Sequence, residues 1–184
     1  MIEDKQRWNI RHVEKPMRHK VSDILKKYIQ HSKVGDALDL ACGTGRNTHF
    51  LDELDFKIDA IDFSDYALGQ IKDTQNITKI ETDLDFFNLK KDAYDLVLNV
   101  NYLNRRLMTQ MKDALKKDGL LIFETFIQAH TKPEQGSMNP DYLLKSNELL
   151  EVFKGFEVIY YEEKDGVNLR GEENKTASLV ARKL

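Results

Sequence analysis

Asp36-Ala37-Leu38-Asp39-Leu40-Ala41-Cys42-Gly43-Thr44-Gly45-Arg46-Asn47 is the stretch on which the reading of the fold turns. Ala37, Leu38, Leu40 and Ala41 form a short apolar run of the length of a buried strand, and Gly43-Thr44-Gly45 interrupts it. Thr48 to Leu54 then resumes at helical spacing, with Phe50, Leu51 and Leu54 on one side. Strand, glycine turn and helix in this order build a ligand platform in α/β proteins. Glycine accepts positive φ in the tight turn, and its missing side chain lets a ligand approach the backbone.

Working outward, strand and helix patterns alternate. Phe56 to Asp62 alternates like a strand and ends on an acid, and Ser64 is placed to cap a helix carrying Ala67, Leu68 and Ile71. Ile77 to Ile80 predicts a third strand, Tyr94 to Val100 a fourth and Leu120 to Thr125 a fifth. The spacing of Leu103, Leu107, Met108, Met111, Ala114 and Leu115 predicts a helix closed by Lys116-Lys117, with Gly119 as its C-cap. Phe126 to Tyr142 has no clear period and contains Pro133, Gly136 and Pro140, which marks a long loop of functional or mobile character. Ser146 reads as the cap of a short helix stopped at Gly155. Phe156 to Tyr161 and Ala177 to Ala181 are two late strands with no helical pattern between them, so they pair antiparallel. On the amino side, residues 1–12 are polar, and a stripe from Val13 through Met17, Val21, Ile24, Leu25, Tyr28 and Ile29 predicts one helix, with Pro16 in its first turn.

The expectation is a single α/β domain over residues 1–184, with a helical segment at 1–34 and the α/β core at 35–184. Its sheet is mostly parallel, with a C-terminal antiparallel hairpin strand. The composition agrees: 184 residues, 41% hydrophobic and 32% charged, with a formal net charge of −3. That balance gives no general attraction to nucleic acid or anionic membrane. Up to Val34 nine Lys/Arg face four Asp/Glu, which reads as a solvated helix face. No apolar run reaches the roughly 18 residues needed to span a bilayer. The single Cys42 forms no internal disulfide, which fits a reducing cytoplasm, and its place after a buried strand makes it a packing residue.

Ligands of open parallel sheets bind beyond the carboxyl ends of the strands. Acids and amides recur there. Asp62 closes the second strand, where a carboxylate can accept from both hydroxyls of a ribose. Asp83 follows the third, placed to receive an exocyclic amine beside the apolar Leu84, and Asn99 and Asn101 end the fourth. Each acid alone also reads as a cap or strand-end charge; the recurrence favours a nucleoside. Gly43-x-Gly45-x-x-Thr48 lacks the third glycine of a dinucleotide fingerprint, which argues against a pyrophosphate.

Asp39 to Gly45, Asp62, Asp83-Leu84 and the strand Asp95 to Asn99 resemble, in order and spacing, the class I S-adenosylmethionine-dependent methyltransferases. The likeness runs from about Val34 to the C-terminus. Trp8-Asn9, Tyr102-Leu103-Asn104-Arg105, Asn139 to Leu144, Asn147 to Leu150 and Ala177 to Lys183 further resemble the tellurite-resistance methyltransferase family. The resemblance implies a Rossmann-like sheet with helices on both faces and S-adenosylmethionine as cofactor. It implies that Asp39, the Ala41 backbone, Gly43 and Gly45 hold the methionine end, with Arg46 near its carboxylate or facing solvent. It further implies Asp62 on the ribose, Phe63 against adenine, Asp83 and the Leu84 backbone on the adenine edge, and the Asn99 backbone under the sulfonium. Trp8 and the first helix would cover the cofactor.

The expected acceptor is a small molecule, with a soft nucleophile (a thiol, or a selenium or tellurium oxyanion) asking for little beyond positioning. Asn101, Tyr102 and Arg105 are the expected substrate residues, Tyr102 and Arg105 sharing one helix face at a spacing of three. Tyr102, Arg105 and His130 are the catalytic candidates, His130 because imidazole ordinarily titrates near ~6.5. Asn99-Val100-Asn101-Tyr102 is not the Asn/Asp-Pro-Pro-aromatic motif used on planar nitrogens, and nothing reads or flips a base. No metal, nucleic acid or membrane partner is expected. A non-catalytic S-adenosylmethionine-binding regulator is the alternative, and an oxidoreductase the third reading.

Overall fold

Seven strands form one sheet in the order β3-β2-β1-β4-β5-β7-β6. They are β1 (Asp36–Leu40), β2 (Lys57–Asp62), β3 (Ile77–Glu81), β4 (Tyr94–Val100), β5 (Leu115–Phe126), β6 (Glu157–Val167) and β7 (Glu173–Arg182). The first five pair in parallel. β7 lies between β5 and β6 and is antiparallel to both. This computed structural model describes residues 2–14, 20–128, 140–167 and 173–184.

Alternation along the strands sends side chains into two cores. Leu38, Leu40, Ile61, Val97, Leu121, Phe123 and Leu179 face one side, where α5 (Arg105–Ala114) packs Leu107, Met108 and Met111 and α6 (Glu148–Val152) packs Leu149. Ala37, Ile58, Ala60, Leu96, Leu98, Ile122 and Val180 face the other. That side is covered by α2 (Asp23–Tyr28), α3 (Arg46–Asp52) and α4 (Asp65–Gly69) through Ile24, Leu25, Leu51 and Leu68. Every residue of β4 is buried, as a central parallel strand covered on both faces requires. The strand order reverses between β1 and β4, and it is at the carboxyl ends beside such a reversal that open α/β sheets form a ligand crevice.

Three local expectations are corrected. The stripe from Val13 is not one helix: α1 covers the polar stretch Ile2–Glu14, and α2 begins after Ser22, which sits in extended backbone. Pro16 lies outside the described residues. The helix of the fourth unit ends at Ala114, and Leu115 to Phe126 is already strand. Gly119 is therefore no C-cap. A Cβ there would come within 2.8 Å of the Lys116 carbonyl and 3.1 Å of the Tyr94 carbonyl, so the residue permits a close strand approach. Ser146 is no cap either: its hydroxyl donates to Glu163, and Asn147, at φ 62°, takes the position before α6. Ser64 does cap α4, accepting from the Ala67 N–H at 3.0 Å. Among the described residues no helix is long and apolar enough to cross a membrane.

Candidate cofactor site at the carboxyl ends of β1, β2 and β4

The turn after β1 is built from residues of positive φ: Ala41 at 51°, Gly43 at 56° and Gly45 at 81°. The first is costly for a residue with a Cβ, by roughly 1–2 kcal/mol, and is held by the surrounding bonds. The Cys42 N–H donates to the Ile61 carbonyl, the Gly45 N–H to the Cys42 carbonyl, and α3 starts as His49 N–H reaches the Gly45 carbonyl. A Cβ on Gly45 would stand 2.6 Å from Ile71 Cγ1, so both conformation and space demand glycine.

Two buried carboxylates flank this turn. Asp62 accepts the Gly43 N–H on Oδ2 and the Ser64 N–H on Oδ1, each at 2.8 Å, which joins the end of β2 to the glycine turn. A carboxylate has about four acceptor directions, so the pair leaves capacity for a ligand. Asp39 accepts the Thr48 hydroxyl at 2.7 Å. Burial drives its pKa up to about 7, against the Thr48 bond and the Arg46 charge, and with the Asp62 charge adding to the rise. Arg46 opens α3 and donates to the Lys20 carbonyl.

Along the crevice, Phe63 is partly buried between Asp62 and Ser64. Asp83 folds into a turn, its Oδ1 accepting the Asp85 N–H and its carbonyl the N–H groups of Phe86 and Phe87. Leu84 is buried, and its carbonyl takes an Arg106 N–H at 2.7 Å. Asn99 is completely buried; its Nδ2 donates to the Tyr102 carbonyl at 2.7 Å, and its Oδ1 has no partner. Asn101 is exposed at φ 62°, its N–H donating to the Glu124 carbonyl.

The expected substrate residues do not converge as a helix face. Asn104 caps α5, so Tyr102 precedes the helix, and burial pushes its phenol up to about 12. Arg105 donates to both Glu148 oxygens, at 2.7 and 3.0 Å, and to the carbonyls of Asp141 and Leu143. These four bonds tie α5 to the segment before α6 and leave one of five N–H donors for anything else. Its geometry is that of a brace. His130 lies outside the described residues. Cys42 is buried, which raises its pKa well above the ordinary value and fits packing. Among the described residues no group of three His, Cys, Asp or Glu side chains is placed to hold a metal ion. A polar cavity of about 270 Å³, lined by Asp36, Asp59, Lys90 and Tyr94 among others, opens at the opposite, amino ends of the strands and forms no part of this crevice.

Helix α1 brings in residues that hydrophobic periodicity does not find. Lys5, Asn9 and His12 are half-buried at i, i+4, i+7, on the side toward α4 and the end of β3, while the rest of the helix from Gln6 onward is exposed. Lys5 pairs with Asp65 and Glu81, and Asn9 bonds Ser64 and Asp65. Burial lowers the His12 pKa, opposed by the Asp62 charge. The spacing of the three polar side chains was the available signal.

A family model described as tellurite resistance protein TehB matches residues 5–179. The chain belongs to the TehB family. Proteins similar to this chain carry methyltransferase names: a probable S-adenosyl-L-methionine-dependent methyltransferase TehB of Haemophilus influenzae is 25% identical over 162 residues, 79% of this chain and 56% of the relative. A malonyl-[acyl-carrier protein] O-methyltransferase of Bacillus cereus is 29% identical over 124 residues, 62% of this chain and 46% of the relative. The chain thus spans about half the length of these relatives. The crystal structure of TehB from Haemophilus influenzae superposes with a TM-score of 0.78 at 22% identity, covering 95% of this chain and 66% of that one. A putative sarcosine dimethylglycine methyltransferase from Galdieria sulphuraria gives 0.71 at 11%, covering 98% of both. The fold of this TehB-family chain is that of the class I methyltransferases.

Proposed function

We propose that this TehB-family chain binds S-adenosylmethionine in the crevice and catalyses methyl transfer to a small-molecule acceptor. The observation that carries the reading is the pair of buried carboxylates, Asp39 and Asp62, on either side of a left-handed glycine turn at the strand-order reversal. One feature fits a ligand with a donor group: Asn99 Oδ1, near the carboxyl end of β4, is buried without a partner, which costs about 1–3 kcal/mol.

Each residue has a task in this reading. Asp62 accepts the ribose hydroxyls, held in place by the Gly43 and Ser64 N–H groups. Asp39 takes the ammonium of the methionine end, with Ala41, Gly43 and Gly45 lining that end and Arg46 near its carboxylate. Phe63 lies against adenine, and Asp83 with the Leu84 backbone reads its edge. The Asn99 backbone sits beside the sulfonium. When bound, S-adenosylmethionine supplies a methyl group already activated for in-line displacement, so the protein's contribution is proximity, orientation and exclusion of water. Asn101 and Tyr102 are the acceptor-side residues of this proposal, and no general base is required for a soft, unprotonated nucleophile. A thiol reacting as the thiolate left by ionisation to solvent, or a selenium or tellurium oxyanion, is the acceptor class the reading favours.

Calorimetric titration tests the site. Asp62→Ala is expected to abolish S-adenosylmethionine binding, and unchanged affinity sinks the assignment. Assay of methyl transfer to a panel of thiols, selenite and tellurite tests the acceptor. Tight binding with no turnover on any of them would instead favour a binding regulator.

A further inference from the structure

Helix α1 is docked by its polar side. From Lys5 onward, the inward residues are Lys5, Asn9 and His12, whereas Trp8, Ile10 and Val13 point outward and are 40%, 55% and 56% exposed. A surface helix ordinarily does the reverse, burying its apolar stripe. Hydrophobic burial therefore does not explain why α1 sits where it does, and its hydrogen bonds must.

Those bonds lead to the proposed ribose carboxylate. Asn9 Oδ1 accepts the Ser64 hydroxyl at 2.6 Å, and Asn9 Nδ2 donates to Asp65 at 2.7 Å. Ser64 is wholly buried; its hydroxyl also accepts the Ala67 N–H, and its own N–H donates to Asp62 Oδ1. Asp62 Oδ2 in turn holds the Gly43 N–H. One unbroken chain of hydrogen bonds thus runs from α1 through the cap of α4 to the glycine turn. Lys5 adds ion pairs to Asp65 at 2.9 Å and to Glu81 at 2.5 Å.

We propose that Asn9 is a positioning residue for Asp62: by fixing the Ser64 hydroxyl it fixes the Ser64 N–H, and so the direction in which the Asp62 carboxylate presents its remaining acceptor sites to a ribose. The proposal rests on the cofactor reading above. An acceptor that must meet two hydroxyls at once is sensitive to rotation, and Ser64 is the nearer of its two tethers in sequence. Asn9 contributes no contact to the ligand in this account. It acts through Asp62.

The test compares S-adenosylhomocysteine with its 2′,3′-dideoxy analogue by calorimetry on the full chain. Asn9→Ala is expected to weaken the ribose-bearing ligand by about five- to tenfold, the scale of one hydrogen bond to a charged network, and to leave the dideoxy analogue unchanged. The double substitution Asn9→Asp with Asp65→Asn keeps the acceptor for Ser64 and reverses the second bond, and it is expected to restore affinity to within about twofold. Urea unfolding of Asn9→Ala shows whether the core is intact, since α1 lies outside both apolar clusters. Unchanged affinity for the ribose-bearing ligand, or an equal loss for both ligands, overturns the role of Asn9 while leaving the cofactor site standing. Failure of the wild-type chain to bind either ligand overturns the site and this role together.

Discussion

A carboxyl group held at a pKa of about 7 makes Asp39 a proton-linked ligand of whatever cation it meets. In the proposed complex that cation is an α-ammonium, which requires the ionised acid. Ligand binding then releases a proton below about pH 7, and affinity falls tenfold for each further unit of acidification. Above about pH 8 an α-amino group loses its own proton, so affinity falls there as well. The expected profile is a maximum between about 7 and 8, read by calorimetry in buffers of different ionisation heat. Asp39→Asn removes the acidic limb at the cost of overall affinity; a retained limb assigns the proton elsewhere. Gly45 makes a separate prediction at the same scale. Gly45→Ala combines φ +81° with a Cβ at 2.6 Å from Ile71 and is expected to cost about 2–4 kcal/mol in urea unfolding. Measured against Ile71→Ala alone, which carries its own cavity cost, adding Gly45→Ala is free of the clash, so the loss that remains is that of the strained φ.

At the scale of elements, the segment leading into α6 is pinned from two sides. Arg105 reaches across from α5 to Glu148 and to the Asp141 and Leu143 carbonyls. From β6, Glu163 accepts the Ser146 hydroxyl and the Asn147 N–H. The Tyr161 hydroxyl and Lys175 complete the second clamp, and together these donors hold the Glu163 carboxyl down at about 2 despite burial. Arg105→Ala is therefore expected to lower stability by about 1–2 kcal/mol, the partial exposure of the pair being set against four lost hydrogen bonds. S-adenosylmethionine affinity should be unchanged. A weakened cofactor affinity with unchanged unfolding would return Arg105 to the site. Helix α1 is the opposite kind of element, held by polar bonds along one stripe, and its docking is expected to be more sensitive to salt than that of α2, which inserts Ile24 and Leu25 into the core.

For the molecule as a whole, the strands were legible because burial writes itself into them: β4 is buried on both faces, β1 runs into the glycine turn, β2 closes on Asp62, and the antiparallel return of β7 follows from the absence of a crossover helix. Asp62 was legible for the same reason, since it stands where an apolar run stops, whereas Asp39 lies inside its run and was legible only through the likeness to a family motif. Helix α1 was not, because its docking face is polar and leaves no hydrophobic period. Nor was the brace role of Arg105, whose partners lie 36 to 43 residues away in the chain. The buried acids also set how the whole protein responds to pH. For Asp39 the folded pKa lies above the unfolded value, so the ligand-free fold binds the extra proton and loses stability as pH rises from about 4 through 7. For Glu163 and the lowered Asp95 and Glu148 the sign is reversed, and their contribution is lost as pH falls below about 4.5. His12 and His49, whose pKa values burial lowers, add stability as pH rises toward about 6.5 and so oppose the Asp39 trend there. Saturating S-adenosylmethionine, by holding Asp39 ionised beside an ammonium, should move the optimum of Tm toward pH 7. Thermal unfolding across pH 4 to 9 with and without ligand reads both curves. A ligand-free Tm profile between pH 5 and 8 that Asp39→Asn leaves unchanged would contradict the raised Asp39 pKa on which the shift depends.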